Sequence, residues 1–102
     1  MSERKGPERV REVLESFLEG KGLRQPLLRA EAAWDWDERV GDAIAGVTRA
    51  RGVRDATLIV EVRSSAWLME LNLMKGEILN QLNRGREEAP IERIIFVLAE
   101  KD

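Results

Sequence analysis

The segment spanning residues 36–71 constrains the fold most, because its apolar residues change from helical spacing to strict alternation and back. Up to Val47 they recur every three or four residues, as on one face of a helix. Residues 57–63 then alternate, which is the pattern of a strand with one buried face. Trp67 and Leu71 restore the helical spacing directly afterwards. A chain with this order must combine helices with a sheet, so we predict an α+β fold.

Two helices are predicted ahead of the alternating residues. Pro7 fits the first turn of a helix, and Gly20 ends that helix. Pro26 begins the second helix in the same way, and the helical pattern continues to Val47. The second helix carries apolar residues on two sides, so we expect the first helix to cover one of them. The first helix has one apolar stripe, formed by Val10, Val13, Leu14, Phe17 and Leu18.

A β-hairpin and a third helix follow. A strand over residues 47–53, a turn at 54–56 and the alternating strand make up the hairpin. Ser64 or Ser65 caps the third helix, because a serine oxygen can accept from a free N–H of the first turn. The helical spacing then continues to Leu82. The apolar face of the alternating strand is formed by Leu58, Val60 and Val62.

The end of the chain completes the sheet. Residues 83–90 are polar and form a loop, and residues 91–98 form a last strand. That strand is apolar on both faces, which favours a central position. The order is therefore α-α-β-β-α-β, with a three-stranded sheet packed against the helices. We expect a flexible N-terminus at 1–6, a single domain at 7–99 and a short C-terminal tail at 100–102.

The residue types that most often carry catalysis are missing from the sequence. The 102-residue chain has no cysteine and no histidine. This removes the commonest general base, the commonest metal ligand and all thiolate chemistry. Phosphate-binding glycine loops and nucleophile motifs are also absent from the sequence. We therefore expect a protein that is not an enzyme and that uses no metal and no cofactor.

Charge and hydropathy limit the partners. No apolar run approaches the ~20 residues that span a bilayer, and the charged N-terminus does not resemble a signal peptide. We expect a cytoplasmic protein with no membrane partner and no small-molecule substrate. The net charge is −2, so binding to nucleic acid requires a local basic patch.

Two tryptophan-centred motifs occur in a fixed order. The first reads Trp36-x-x-x-Val40-Gly41-x-x-Ile44-Ala45, and the second reads Ser64-Ser65-Ala66-Trp67-x-x-x-Leu71. Together with a Gly22-Leu23 turn and the strand at 91–97, they resemble the DciA family of bacterial proteins. The resemblance covers about residues 9–98, which is nearly the whole chain.

The resemblance implies both a fold and a function. Members have a KH-like domain similar to the N-terminal domain of the replication initiator DnaA. They are non-ATPase partners that bring the replicative DnaB-type helicase to DNA, and several bind DNA. Many carry a long flexible tail, and whether another subunit supplies one here stays open. The turn after Gly20 lacks the GxxG loop with which KH domains hold a nucleic-acid backbone, so we do not expect that binding mode.

Four arginines form the candidate nucleic-acid-binding site. Arg49 and Arg51 are two residues apart and share a strand face, Arg54 follows in the turn, and Arg63 is expected across the hairpin. Guanidinium groups in a row suit phosphate contacts. The alternative is a solvated face paired with neighbouring carboxylates. Because no aromatic side chain stands on this face, we expect weak, non-specific DNA binding, with the choice between single and double strands left open.

Four further residues are candidates for contact with a protein partner. Met69 and Leu73 lie opposite the inner stripe of the third helix, and Gly76 lies between them and Asn80 on the same outer side. Large apolar side chains beside a glycine would let a partner helix approach closely. Trp34 lies off the Trp36 stripe, and either anchors an interface or packs on the first helix.

The remaining motif residues are predicted to be structural. The predicted structural core comprises Trp36, Val40, Gly41, Ile44, Trp67 and Leu71.

Three functions stay open: an adaptor that recruits or loads the helicase, a stand-alone nucleic-acid-binding module that uses the arginine row, and a homodimer built through Met69 and Leu73.

Overall fold

The computed structural model describes residues 7–100, with side chains from residue 9 onwards. The predicted flexible segment at 1–6 and residues 101–102 of the predicted tail lie outside this range. Residues 7–100 form five helices and a three-stranded sheet, which confirms the predicted α+β class. The elements are α1 (Pro7–Gly20), α2 (Arg24–Val40), α3 (Asp42–Ala45), β1 (Thr48–Arg54), β2 (Thr57–Val62), α4 (Ser65–Leu73), α5 (Lys75–Asn83) and β3 (Arg93–Leu98).

A glycine turn joins α1 to α2. Gly22 has a φ of 71°, which residues with a Cβ rarely adopt. The Leu23 N–H donates to the Leu18 carbonyl at 2.7 Å, and the Gly22 N–H donates to the carbonyl three residues earlier at 3.1 Å. This pair of bonds is the Schellman arrangement at a helix end. The helix α2 then begins at Arg24, and Pro26 lies within its first turn, where a missing N–H costs nothing.

Two helices that the sequence predicted to be continuous are broken. α2 ends at Val40 because Gly41 takes a φ of 90°, and α3 follows as a separate short turn. The helix predicted to run to residue 82 is divided at Met74 into α4 and α5. Its start matches the prediction, since the Ser64 hydroxyl accepts from the Trp67 N–H at 3.2 Å. Apolar spacing continues across both breaks and therefore did not reveal them.

The sheet has β2 in its centre, antiparallel to β1 and parallel to β3. The prediction that the last strand is central was wrong, because β3 lies at the edge. Its second apolar face is exposed, with Ile95 44% and Val97 38% accessible. The hairpin turn places Asp55 and Ala56 at φ 50° and 63°, the type I′ geometry that follows the twist of the strands.

The core lies between one face of the sheet and the helices α2 to α5. Trp36 is 1% exposed, and its indole N–H donates to the Thr48 hydroxyl at 2.8 Å. That hydroxyl donates to the Ile44 carbonyl at 2.7 Å, so one chain of bonds joins α2, α3 and β1. The Phe96 ring lies 6.4 Å from the Trp36 ring, which brings β3 into the same cluster. The predicted inner face of β2 is confirmed, since Leu58, Val60 and Val62 are fully buried.

The segment between α5 and β3 is fixed to α2 by polar side chains. Arg86 donates to the Leu28 carbonyl at 3.1 Å and to the Asp35 carboxylate at 3.0 Å. Asn83 accepts from the Ile91 N–H at 2.9 Å and donates to the Ile91 carbonyl at 2.8 Å. These bonds hold the segment that leads from α5 into β3.

The helix α1 projects from this body. The described chain measures 60 × 27 × 23 Å, which is long for its size. The expectation that α1 would cover an apolar side of α2 was wrong in its extent, because most of the α1 stripe faces solvent. Val10, Val13, Leu14 and Phe17 are 63%, 57%, 50% and 57% exposed.

Candidate interaction surfaces

The outer face of the sheet points away from the helices and carries arginines from two edge strands. Strand register places Arg54 of β1, Thr57 of β2 and Arg93 of β3 in one row across the sheet. The Arg93 Nε donates to the Thr57 hydroxyl at 3.3 Å. Arg54 and Arg93 are both exposed, so two guanidinium groups flank the hairpin end of the face.

A second basic position lies at the other end of the same face. Arg49 is opposite Glu61 in the register, and the Arg51 Nε lies 3.5 Å from a Glu61 carboxylate oxygen. The row at Thr57 and the pair at Glu61 are four residues apart on β2, which is about 13 Å at the usual rise of a strand. Arg63 follows β2, is exposed, and donates its N–H to the Val47 carbonyl at 3.0 Å.

Arg49, Arg51 and Arg54 therefore lie on one sheet face, with Arg51 partly engaged by Glu61. The sequence did not point to Arg93 as a member of this set. It lies more than 30 residues beyond Arg54, and only the pairing of β3 with β2 brings it alongside Thr57.

The exposed side of α4 carries a continuous apolar area. Met69 is 70% exposed and Leu73 is 82% exposed. Ala66 is exposed three residues before Met69, so these three side chains adjoin on the helix. An open depression of about 550 Å³ lies beside them, between α3 and α4. Its lining consists of Ala43, Ile44, Ala66, Trp67, Glu70 and Met74.

The other predicted partner-binding residues lie elsewhere. Gly76 is exposed but belongs to α5, so the break at Met74 separates it from Met69 and Leu73. Trp34 is 71% exposed on α2, which corrects the interpretation that it packs on the first helix.

The predicted structural core is only partly buried. Trp36, Ile44 and Leu71 are buried. Val40 and Trp67 are half-buried, and Trp67 lines the depression beside α4. Gly41 is exposed, because its positive φ ends helix α2 and it does not pack in the core.

The α1–α2 hairpin forms a further apolar surface that the sequence did not predict to be exposed. A groove of about 460 Å³ runs between the two helices. The amphipathic spacing was the available signal, but it shows only that a face requires cover and not what covers it. The apolar lining of the groove comprises Val10, Leu14, Leu18, Leu27 and Leu28.

An ion-pair cluster fixes the turn end of this hairpin. Arg24 donates to both carboxylate oxygens of Glu88, at 2.9 and 3.0 Å, and Glu15 and Glu19 lie within 3.8 Å of the same guanidinium. The hydrogen bond from Arg24 lowers the pKa of Glu88 below its ordinary value, and the same bond raises the pKa of Arg24.

Within residues 7–100, acidic side chains do not gather in groups of three that would hold a metal ion. The helices of this part of the chain are also too short or too polar to cross a membrane.

The described residues form a small α+β domain that carries both tryptophan motifs. The DciA family model, described as Dna[CI] antecedent, matches residues 9–96. The chain therefore belongs to the DciA family. It is also 29% identical, over 75 residues, to a UPF0232 protein of Corynebacterium glutamicum (strain R). That alignment covers 74% of this chain and 42% of the relative, so the chain spans less than half of the relative's length.

Proposed function

We propose that this protein is a non-enzymatic adaptor that recruits or loads the replicative DnaB-type helicase. The observation that carries the proposal is the match of the DciA family to residues 9–96, which is most of the chain. The KH-like class implied by the resemblance and the cytoplasmic location expected from the sequence belong to the same proposal.

The α4 surface, defined as Ala66, Met69, Leu73 and the adjoining depression at Trp67, is the proposed contact with the helicase. Two large apolar side chains more than two-thirds exposed are typical of an interaction surface, because burying them in a partner removes apolar area from water. Trp34 is proposed as a second anchor, since tryptophan is enriched among residues that dominate binding energy.

Weak DNA binding is proposed for the outer sheet face. Its arginines supply charge to phosphates, and the described part of the face carries no aromatic ring on which a base could stack. If three or four phosphates are contacted, affinity falls roughly 50-fold between 50 and 200 mM salt, because bound counterions are released.

The helicase contact is tested with the host's own DnaB-type helicase and purified variants of this chain. We expect association at micromolar concentrations, and at least tenfold weaker association for Met69→Asp, which places a charge in the apolar surface. Asn72→Asp is the matched control, because Asn72 is exposed on the same helix and gains the same charge without losing an apolar group. Absence of association at micromolar concentrations would remove the proposal.

A second candidate function is a stand-alone nucleic-acid-binding module, and the arginine-bearing open face is the observation that favours it. Replacing Arg49, Arg51 and Arg54 together by glutamine should abolish binding to a fluorescent oligonucleotide. Unchanged binding would reject both this candidate and the DNA-binding role of the face.

A matched variant controls for net charge alone. Arg9, Arg11 and Arg84 are exposed and lie outside the sheet, and their joint replacement by glutamine removes the same charge. We expect this control to bind the oligonucleotide within about threefold of the parent. Sedimentation of the parent and of Met69→Asp tests the third possibility, a homodimer through α4: a parental dimer that Met69→Asp dissociates would support it.

A further inference from the structure

The two edges of the sheet differ in how they are protected. Along β1 the register shifts between Ala50 and Gly52, a bulge that kinks the edge, and Arg51 and Arg54 stand exposed beside it. Such bulges and charges are the usual devices against pairing with another strand. The edge strand β3 has neither a bulge nor a proline nor a charged residue between Ile94 and Leu98.

The backbone groups of β3 that face the open edge follow from its bonds to the rest of the sheet. The Arg93 N–H donates to the Ala56 carbonyl at 3.3 Å, and the Ala99 N–H donates to the Val62 carbonyl at 2.7 Å. In a parallel pair, alternate residues bond to the neighbouring strand. The N–H and C=O groups of the even-numbered residues therefore point away from β2, and the bonds found among residues 7–100 do not include a further partner for them. Those residues are Ile94, Phe96 and Leu98.

A groove runs along this edge, between the start of β3 and the start of α5. Its volume is about 320 Å³. The groove is open at Gly76, because a Cβ at that position would have no other atom within 4 Å. Leu79 and Ile94 make the groove apolar. Lys75 and Arg93 bring two cations to it, and Glu92, whose carboxylate lies 4.0 Å from the Arg93 guanidinium, brings one acid.

We propose that the β3 edge binds an extended segment of another protein as a fourth strand. The segment bonds to the free backbone groups of β3. It places one apolar side chain in the groove against Gly76 and Leu79, and one acidic side chain beside Lys75 and Arg93. This is strand addition, in which main-chain bonds give affinity and alternate side chains give specificity. The proposal does not rest on the identity of the helicase as a partner.

A second copy of this chain fits the edge less well. A stable dimer buries about 800 Å² per partner. The exposed apolar side chains of β3 are Ile95, Val97 and Leu98, and each is less than half accessible. That area is small for a dimer and sufficient for a peptide held mainly by backbone bonds.

Single-stranded nucleic acid also fits less well. None of the seven residues that line the groove is aromatic, and one of them, Glu92, is an acid. Nucleic-acid grooves rely on stacking and on a track of cations. The β3 edge instead offers amide donors and carbonyl acceptors at strand spacing, which a peptide backbone matches.

The test begins with a displayed library of random ten-residue peptides selected against the folded chain. The counter-selection uses Gly76→Leu, which fills the groove, while leucine is a better helix former than glycine and does not weaken α5. We expect enriched peptides with alternating apolar residues and an aspartate or glutamate, retained by the parent and by Gly76→Ala but lost on Gly76→Leu. Absence of enrichment, or equal retention on Gly76→Leu, overturns the proposal.

The strongest peptide is then synthesised with and without N-methyl groups on alternate amides. Methylation removes main-chain donors while leaving the side chains, so we expect at least tenfold weaker binding. Lys75→Gln should reduce the preference for aspartate over asparagine in the peptide. The proposal fails if the methylated peptide binds equally well, if a single-stranded oligonucleotide competes for the groove, or if sedimentation shows a parental dimer that Gly76→Leu dissociates.

Discussion

The bond between Trp36 and Thr48 gives the sharpest test of how the core is held together. Thr48→Val keeps the shape of the side chain and removes its hydroxyl. The Trp36 N–H, on a side chain that is 1% exposed, then loses its acceptor. The Ile44 carbonyl loses a donor but keeps a bond from the Val47 N–H at 3.1 Å, so only one group is left without a partner.

The cost follows from these two losses. An unsatisfied buried donor costs about 1–3 kcal/mol, and one ordinary hydrogen bond contributes about 1 kcal/mol. Valine restores roughly a few tenths of a kcal/mol of stability, because it is favoured in strands. We expect Thr48→Val to lower the free energy of unfolding by about 2–3 kcal/mol. For a domain of this size, that lowers the Tm by roughly 10–20 °C.

Urea unfolding followed by far-ultraviolet circular dichroism measures this change without depending on tryptophan emission. Thr48→Ser is the control, since it keeps the hydroxyl and loses one methyl group, about 1 kcal/mol if that methyl is fully buried. In a Trp36→Phe background the donor is already gone, so Thr48→Val should then cost only about 1 kcal/mol, a coupling of about 1–2 kcal/mol. A coupling below about 0.5 kcal/mol, or a valine variant as stable as the serine variant, would show that the bond between Trp36 and Thr48 does not stabilise the core.

Three further predictions concern other parts of the chain. Gly22→Ala should lower the free energy of unfolding by about 1 kcal/mol, because its φ of 71° is strained for alanine; an unchanged urea midpoint would contradict this. Phe17→Ala should lower the free energy of unfolding by less than about 1 kcal/mol, because the ring is 57% exposed. Ile78 is fully buried, so Ile78→Ala should lower it by about 3 kcal/mol. Equal losses in urea unfolding would show that α1 is packed in solution. The pKa of Glu88 is lowered by its hydrogen bond to Arg24, so this pair stabilises the fold above the ordinary value of 4.5 and is lost as pH falls through the folded pKa. The stability of the parent should therefore fall more steeply below pH 4.5 than that of Glu88→Gln, and parallel pH profiles would count against the pair.

Local signals in the sequence predicted the local structure well. The range of α1, the serine cap and the inward face of β2 each depend on a few neighbouring residues. The first and last appear as predicted, and of the two predicted cap residues, Ser64 and Ser65, the structure uses Ser64. The helix breaks did not emerge, because Gly41 and Met74 interrupt the backbone while the apolar spacing continues through them.

Non-local features were beyond the reach of spacing. The two apolar faces of β3 predicted a central strand, yet pairing placed it at an edge, where Ile95 faces solvent. The same pairing placed Arg93 on the outer face of the sheet, beside Thr57. Among the candidate contacts, the exposure of Met69 and Leu73 followed from the helical wheel, but Gly76 was separated from them by a break that the wheel cannot represent.

The bulge between Ala50 and Gly52 limits how far this sheet can grow. Fibrils form when every added strand presents a fresh template to the next one, and that requires a sheet that pairs on both sides. When β3 pairs with an added strand, the opposite edge of the sheet is still β1, which is kinked by its bulge and lined with arginines. Should copies join through β3 at high concentration, each pair would turn its two β1 margins outward, and elongation into amyloid-like stacks would end after that single step.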